Sequence, residues 1–213
     1  MNKVLPTERL IVEGPAGAIE VLRDLPESVQ GIAIVAHPHP LFGGSNTNKV
    51  VYTLAKTLRD LGYCALRPNF RGVGASEGVH DHGVGETEDL LALIAWAKEQ
   101  YSDAPIVLAG FSFGAFVQTR VAKRLMDAAH PARRLILVGT ASGFIEGARK
   151  YEAEAVTPDS IVIHGSRDQV VPLENVLDWA EPLNVPVIVV PGSDHFFHAR
   201  LPMLREIIER AWR

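Results

Sequence analysis

Ser112 lies in the run Gly110-Phe111-Ser112-Phe113-Gly114, a glycine-x-serine-x-glycine pattern. The apolar stretch Pro105 to Ala109 reads as a strand leading into it, and a helix is expected to continue to about Ala129. A serine at the apex of such a strand-to-helix turn must adopt a strained backbone, and side chains two residues to either side would collide with it. Glycine at 110 and 114 removes both collisions. The turn lifts the hydroxyl above the strand end and aims the backbone N–H of Phe113 where a negative oxygen would develop. The chemistry open to this serine is nucleophilic attack on an acyl carbon.

A serine hydroxyl is a weak nucleophile until a base takes its proton, and a histidine base needs a carboxylate to fix its tautomer. Both partners follow in the chain, each just past an apolar strand. Ser160 to His164 is followed by Gly165-Ser166-Arg167-Asp168, and Val185 to Val190 by Pro191-Gly192-Ser193-Asp194-His195. Asp168 is therefore the expected acid and His195 the expected base. Asp194 is a rival acid, but adjacent residues do not easily orient one another's side chains. His198 is a rival base, placed at the start of the last helix and further from its strand. Asp103 and Asp159 precede strands and so belong to the opposite edge of a parallel sheet.

Two His-x-His pairs, His37 with His39 and His80 with His82, raise a metal reading, with Asp81 inside the second pair. No third ligand group at a familiar spacing joins them. His37 and His39 are instead expected to brace their loop, the stretch Val79 to Gly83 to be solvated, and no metal to bind. Gly72-Val73-Gly74 lacks the third glycine of a dinucleotide loop, and no Gly-Lys-Ser/Thr is present, so no cofactor is expected.

The elements that must position these groups alternate strand and helix. Leu10 to Val12 and Ala18 to Leu22 read as a hairpin around Gly14-Pro15-Ala16-Gly17. Gly31 to Ala36 is a continuous apolar run, as for a strand buried on both faces. Tyr63 to Pro68 and Arg134 to Gly139 complete the strand set. Helices are expected at Lys49 to Leu61, Val84 to Tyr101, Leu173 to Ala180 and Ala199 to Trp212. The implied fold class is α/β: one domain over residues 1–213, with a mostly parallel sheet of about eight strands, helices on both faces and an antiparallel N-terminal hairpin. Only Thr140 to Asp159 is free to cover the site, so it should be open or covered by one helix, with a minimal lid or none.

The 213 residues suit one such domain better than two. A formal net charge of -4 gives no electrostatic footprint for nucleic acid or an anionic membrane. The single cysteine, Cys64, cannot form an internal disulfide and reads as a buried thiol in a strand. Met1 to Arg9 lacks the apolar core of a signal peptide, and no apolar run approaches a membrane span, so the expected location is cytoplasmic.

With these residues in hand, the chain resembles the α/β-hydrolase superfamily over essentially its whole length. More narrowly it is similar to compact lidless bacterial hydrolases related to dienelactone hydrolase-like serine esterases. The matching segments are His37-Pro38-His39-Pro40-Leu41-Phe42-Gly43-Gly44, Arg71-Gly72-Val73-Gly74-Ala75-Ser76-Glu77-Gly78 and His164-Gly165-x-x-Asp168 before Val171-Pro172. It departs from dienelactone hydrolases proper, whose nucleophile is cysteine. The resemblance implies Ser112, Asp168 and His195 as a catalytic triad, with Phe113 as one oxyanion donor. The second donor comes from the loop after the third strand. Pro38 and Pro40 have no N–H, which leaves Leu41, the preferred assignment, or His39. The expected partner is a small-molecule acyl substrate, most simply a short-chain carboxylic ester. An acyl-thioester or a small amide would suit the same residues. The alternative of another class is a non-catalytic binding protein on the same fold.

Overall fold

In the computed structural model, residues 5–147 and 149–212 are described. Strands β1 (Glu8–Gly14) and β2 (Gly17–Asp24) form the hairpin. They are followed by β3 (Gly31–Ala36), α1 (Lys49–Asp60), β4 (Tyr63–Pro68), α2 (Val84–Gln100), β5 (Ile106–Phe111), α3 (Phe113–Asp127) and β6 (Arg134–Val138). Then come the short β7 (Gly143–Phe144) and β8 (Lys150–Tyr151), β9 (Ile161–Gly165), α4 (Leu173–Ala180), β10 (Val187–Val190) and α5 (Leu201–Ala211). The main sheet has eight strands in the order β1-β2-β4-β3-β5-β6-β9-β10. β2 runs antiparallel to both β1 and β4, and the remaining pairs are parallel.

The sheet is buried on both faces because its central strands carry apolar side chains at odd and even positions alike. Ile32, Ile34 and Ala36 of β3 enter one core with Leu90 and Leu93 of α2 and Val117 and Val121 of α3. Ala33 and Val35 point the other way, toward Leu54 and Leu58 of α1 and Leu204 and Ile208 of α5. Each fully buried leucine of this kind stabilises the fold by roughly 1.5–3 kcal/mol. Gln118 of α3 donates from Nε2 to the carbonyls of Ile34 (2.9 Å) and Ala109 (3.0 Å), tying the helix that follows Ser112 to two strands at once. Cys64 is fully buried in β4, and burial pushes its thiol pKa up.

Two of the element boundaries move for identifiable reasons. β10 begins at Val187, because Pro186 has no N–H to give the ladder. α5 begins at Leu201, because Ala199 adopts a left-handed φ of 56° that a helix cannot continue through. Among the described residues between β6 and β9 no helix forms; β7 and β8 pair antiparallel as a small hairpin. Asn175 of α4 anchors it, donating from Nδ2 to the carbonyls of Ser142 (2.9 Å) and Phe144 (2.8 Å). No described helix is long and apolar enough to cross a membrane.

Candidate active site

The parallel strands β3, β5, β6, β9 and β10 deliver their loops to one edge of the sheet. Ser112 stands there between β5 and α3 with φ 57° and ψ -118°, a conformation that costs a non-glycine residue on the order of 1–3 kcal/mol. It persists because the surroundings fix it. Its N–H donates to Val138 O at 2.8 Å, and its carbonyl accepts from Phe116 N at 3.1 Å. A Cβ on Gly110 would lie 2.6 Å from Ala115 N, and one on Gly114 would overlap the carbonyls of Ala36 and His37. Glycine at 114 therefore lets the first turn of α3 rest directly on the end of β3.

His195 follows β10 and is buried. Its Nε2 is 3.0 Å from Ser112 Oγ, and its Nδ1 is 2.6 Å from Asp168 Oδ2. The Nδ1 proton is thereby committed to the carboxylate, which leaves the Nε2 lone pair facing the hydroxyl. Phe111 supports the ring from one side at a centroid distance of 4.8 Å. Gly139, with φ 54°, leaves room for both rings; a Cβ there would press on His195 Cε1 and on Phe111 Cε2, each at 3.3 Å. Asp168 is held in turn. Its Oδ1 accepts the N–H groups of Val170 (2.9 Å) and Val171 (2.8 Å), and its side chain is fully buried.

The rival residues are placed elsewhere. Asp194 pairs with His198, with Nδ1 2.6 Å from Oδ2, on the exposed outer side of the His195 loop. Asp103 and Asp159 sit just before β5 and β9, at the opposite end of those strands from Ser112.

The loop after β3 closes in a 3-10 turn at Pro40–Phe42. Its shape comes from His39, whose carbonyl accepts from Phe42 N (3.1 Å) and Gly44 N (3.0 Å) and whose Nδ1 accepts the Leu41 N–H at 3.2 Å. The preferred donor of the sequence reading, Leu41, is therefore engaged by a neighbouring ring. The His39 N–H has no hydrogen-bond partner among the described residues. His37 is fully buried: Phe70 N donates to its Nε2 at 2.9 Å, and its Nδ1 lies 2.7 Å from Pro38 O. Burial holds its pKa down to about 4. His39 is likewise lowered to about 4, by burial and then by the adjacent His80.

The stretch Val79 to Gly83 is not simply solvated. His80 turns inward, with Nδ1 2.7 Å from the buried carboxylate of Glu86 and its ring 4.7 Å from that of His39 and 5.3 Å from Phe113. The cause is a tight turn at Gly83 (φ 94°), where Glu86 accepts the N–H groups of Asp81 and Gly83 and draws the loop onto the start of α2. Among the described residues, no three His, Cys, Asp or Glu side chains are grouped to hold a metal ion.

Residues 37–154, more than half the chain, match the family model described as alpha/beta hydrolase fold. The chain belongs to the alpha/beta hydrolase family. Within it, an uncharacterised protein of Rickettsia prowazekii is 34% identical over 201 residues, covering 89% of this chain and 82% of that one. An alpha-beta serine hydrolase homologue from Coxiella burnetii superimposes with a TM-score of 0.86 at 38% identity, covering 99% of this chain and all of the other. A serine hydrolase without a lid from Xanthomonas campestris gives 0.82, also at 38% identity, covering 99% and 96%. Among the described residues, this alpha/beta hydrolase has the short β7–β8 hairpin between β6 and β9, with no helix added there. The family and its serine hydrolase relatives support hydrolase activity for this chain.

Proposed function

We propose that this alpha/beta hydrolase cleaves carboxylic esters of small acyl groups through a covalent acyl-serine. The single observation that carries the reading is the unbroken hydrogen-bond chain from Asp168 through His195 to Ser112 Oγ, at 2.6 and 3.0 Å. Ser112 Oγ attacks the acyl carbon while His195 Nε2 takes its proton. The tetrahedral oxygen accepts from Phe113 N–H, the first donor of α3, which has no intrahelical acceptor. The second donor in this proposal is the unengaged N–H of His39. Collapse breaks the C–O bond, and the alcohol leaves with the proton held by His195. Water then loses a proton to His195 and attacks the acyl-serine, returning the carboxylic acid and free Ser112.

The short β7–β8 hairpin supports a preference for small acyl groups, because an open site has little apolar wall to grip a long chain. Thioesters are the second substrate class the same geometry would serve. Labelling with a fluorophosphonate tests the nucleophile: wild type should label and Ser112→Ala should not, and equal labelling of both would defeat the proposal. A p-nitrophenyl ester series beside matched acyl-thioesters tests the substrate. Activity should peak at short chains, and a peak at long chains would overturn that part.

A further inference from the structure

The imidazole of His164 is fully buried at the end of β9, where the fold alone would accept an apolar residue. Its Nε2 lies 3.0 Å from Val171 O and 3.4 Å from Asp168 Oδ2. Its Nδ1 is buried with no partner among the described residues. Two oxygens facing Nε2 fix the tautomer, since a lone pair there would be repelled by both; the proton therefore sits on Nε2. Burying a ring with one nitrogen unpaired opposes folding. His164 is thus poorly explained as a packing residue.

The contacts form a closed ring. His164 Nε2–H donates to the carbonyl of Val171, and the N–H of Val171 donates to Oδ1 of Asp168. The positive end of the His164 N–H also lies beside Oδ2, the oxygen that receives His195. We infer that His164 is a positioning residue, which holds the Val171 clamp on Asp168 and shares Oδ2 with His195, and so sets how strongly the carboxylate acts on the base. The titratable groups that reach His164 are Asp168, on the loop following its own strand, and His195, from the loop after β10. Burial lowers its own proton affinity, which keeps it a neutral donor.

This inference rests on the ester-hydrolase reading for its consequence in activity, but not for its contact. Two variants separate the possibilities: His164→Leu removes the N–H, and His164→Gln offers an amide N–H in its place. Three readouts apply: kcat/KM on p-nitrophenyl acetate, the titration midpoint of His195 followed by 15N NMR, and Tm. His164→Leu should lower kcat/KM on the order of tenfold. It should raise the His195 midpoint by several tenths of a pH unit, because the carboxylate is left less neutralised. Its Tm should change little, because the donor lost to the Val171 carbonyl is offset by removal of the unpaired Nδ1, and His164→Gln should restore most of the wild-type rate and midpoint. An unchanged His195 midpoint in His164→Leu, or a rate loss matched by a loss of folded protein, overturns the assignment. If wild type neither labels with a fluorophosphonate nor hydrolyses the ester, the ester-hydrolase reading fails, and the NMR titration still decides the role of His164.

Discussion

Asp194 and His198 bind each other: the imidazole Nδ1 is 2.6 Å from Oδ2, and the His198 N–H reaches Oδ1 at 3.0 Å. That contact takes the nearest rival acid and the nearest rival base out of the Ser112 site together. The side-chain bond to His198 is the main reason the Asp194 carboxyl lies below its ordinary pKa. Asp168, by contrast, reaches His195 from another strand end and is gripped by two backbone N–H groups.

Two asparagine variants turn this difference into a measurement. Asp168→Asn removes the charge and the tautomer control, and kcat/KM should fall on the order of 10⁴-fold. Asp194→Asn touches only an exposed pair, and its rate should stay within about threefold of wild type. Comparable losses in the two would require reassigning the acid.

The oxyanion loop offers a backbone experiment. Amide-to-ester exchange, introduced by suppression with an α-hydroxy acid, deletes one N–H without altering the side chain. At position 39 the exchange should cost roughly 10²–10³ in kcat. At position 41 the deleted N–H served only the His39 ring, and the cost should stay under about tenfold. The reverse ranking would return the role to Leu41.

Glycine substitutions should separate space from conformation. Gly114→Ala forces a methyl into the Ala36 and His37 carbonyls, so it should destabilise by several kcal/mol or prevent folding. Gly43 has φ 79° with nothing within 4 Å of a built Cβ, so Gly43→Ala should cost only the left-handed backbone, about 1–2 kcal/mol. Urea denaturation reads both, and a larger loss at position 43 would contradict the packing described for Gly114.

Stability should fall on mild acidification because of His37. Its folded-state pKa, about 4, lies below the unfolded value near 6.5, so the unfolded chain binds the extra proton first. The contribution is fully present above about pH 6.5 and is lost as pH falls toward 4, up to about 3 kcal/mol. Protonation at Nε2 would also expel the Phe70 N–H that it accepts. Denaturation curves between pH 7 and pH 4 should show the decline, with the His37 ring still neutral by NMR at pH 5. A His37 that titrates near 6.5 would refute this account.

The parts legible in the sequence were those set by local chemistry. Gly110 and Gly114 announce the turn because no other residue fits, and Asp168 and His195 are each a short step past an apolar strand. Gly31 to Ala36 reads as a doubly buried strand because it has no polar face. Less legible were contacts that depend on ring orientation or on distant chain. That the Leu41 N–H is engaged by His39 depends on which way one imidazole turns. His80 meets Glu86 only through the left-handed turn at Gly83. His164 sits in a strand, where a histidine looks like one more core residue, and its contacts with Val171 and Asp168 depend on how the loop after β9 folds back over its ring; Gly139 looks like an ordinary strand end, and its neighbour His195 comes from a loop well removed in sequence. β7 and β8 are two residues each, too short to leave a periodic trace.

The β7–β8 hairpin occupies the stretch between the strand that supports Ser112 and the strand that leads to Asp168, and it adds no link to the Asp168–His195–Ser112 chain. It is tied to the rest of the molecule by Asn175 and by Tyr151 of β8, which is buried against Phe113 and Phe116. The hairpin is therefore a graft point. A longer segment spliced between Phe144 and Lys150 should leave the Asp168–His195–Ser112 spacing unchanged while adding cover on the side where Tyr151 meets Phe113, so under the proposed function the range of substrates would be set by editing one surface segment.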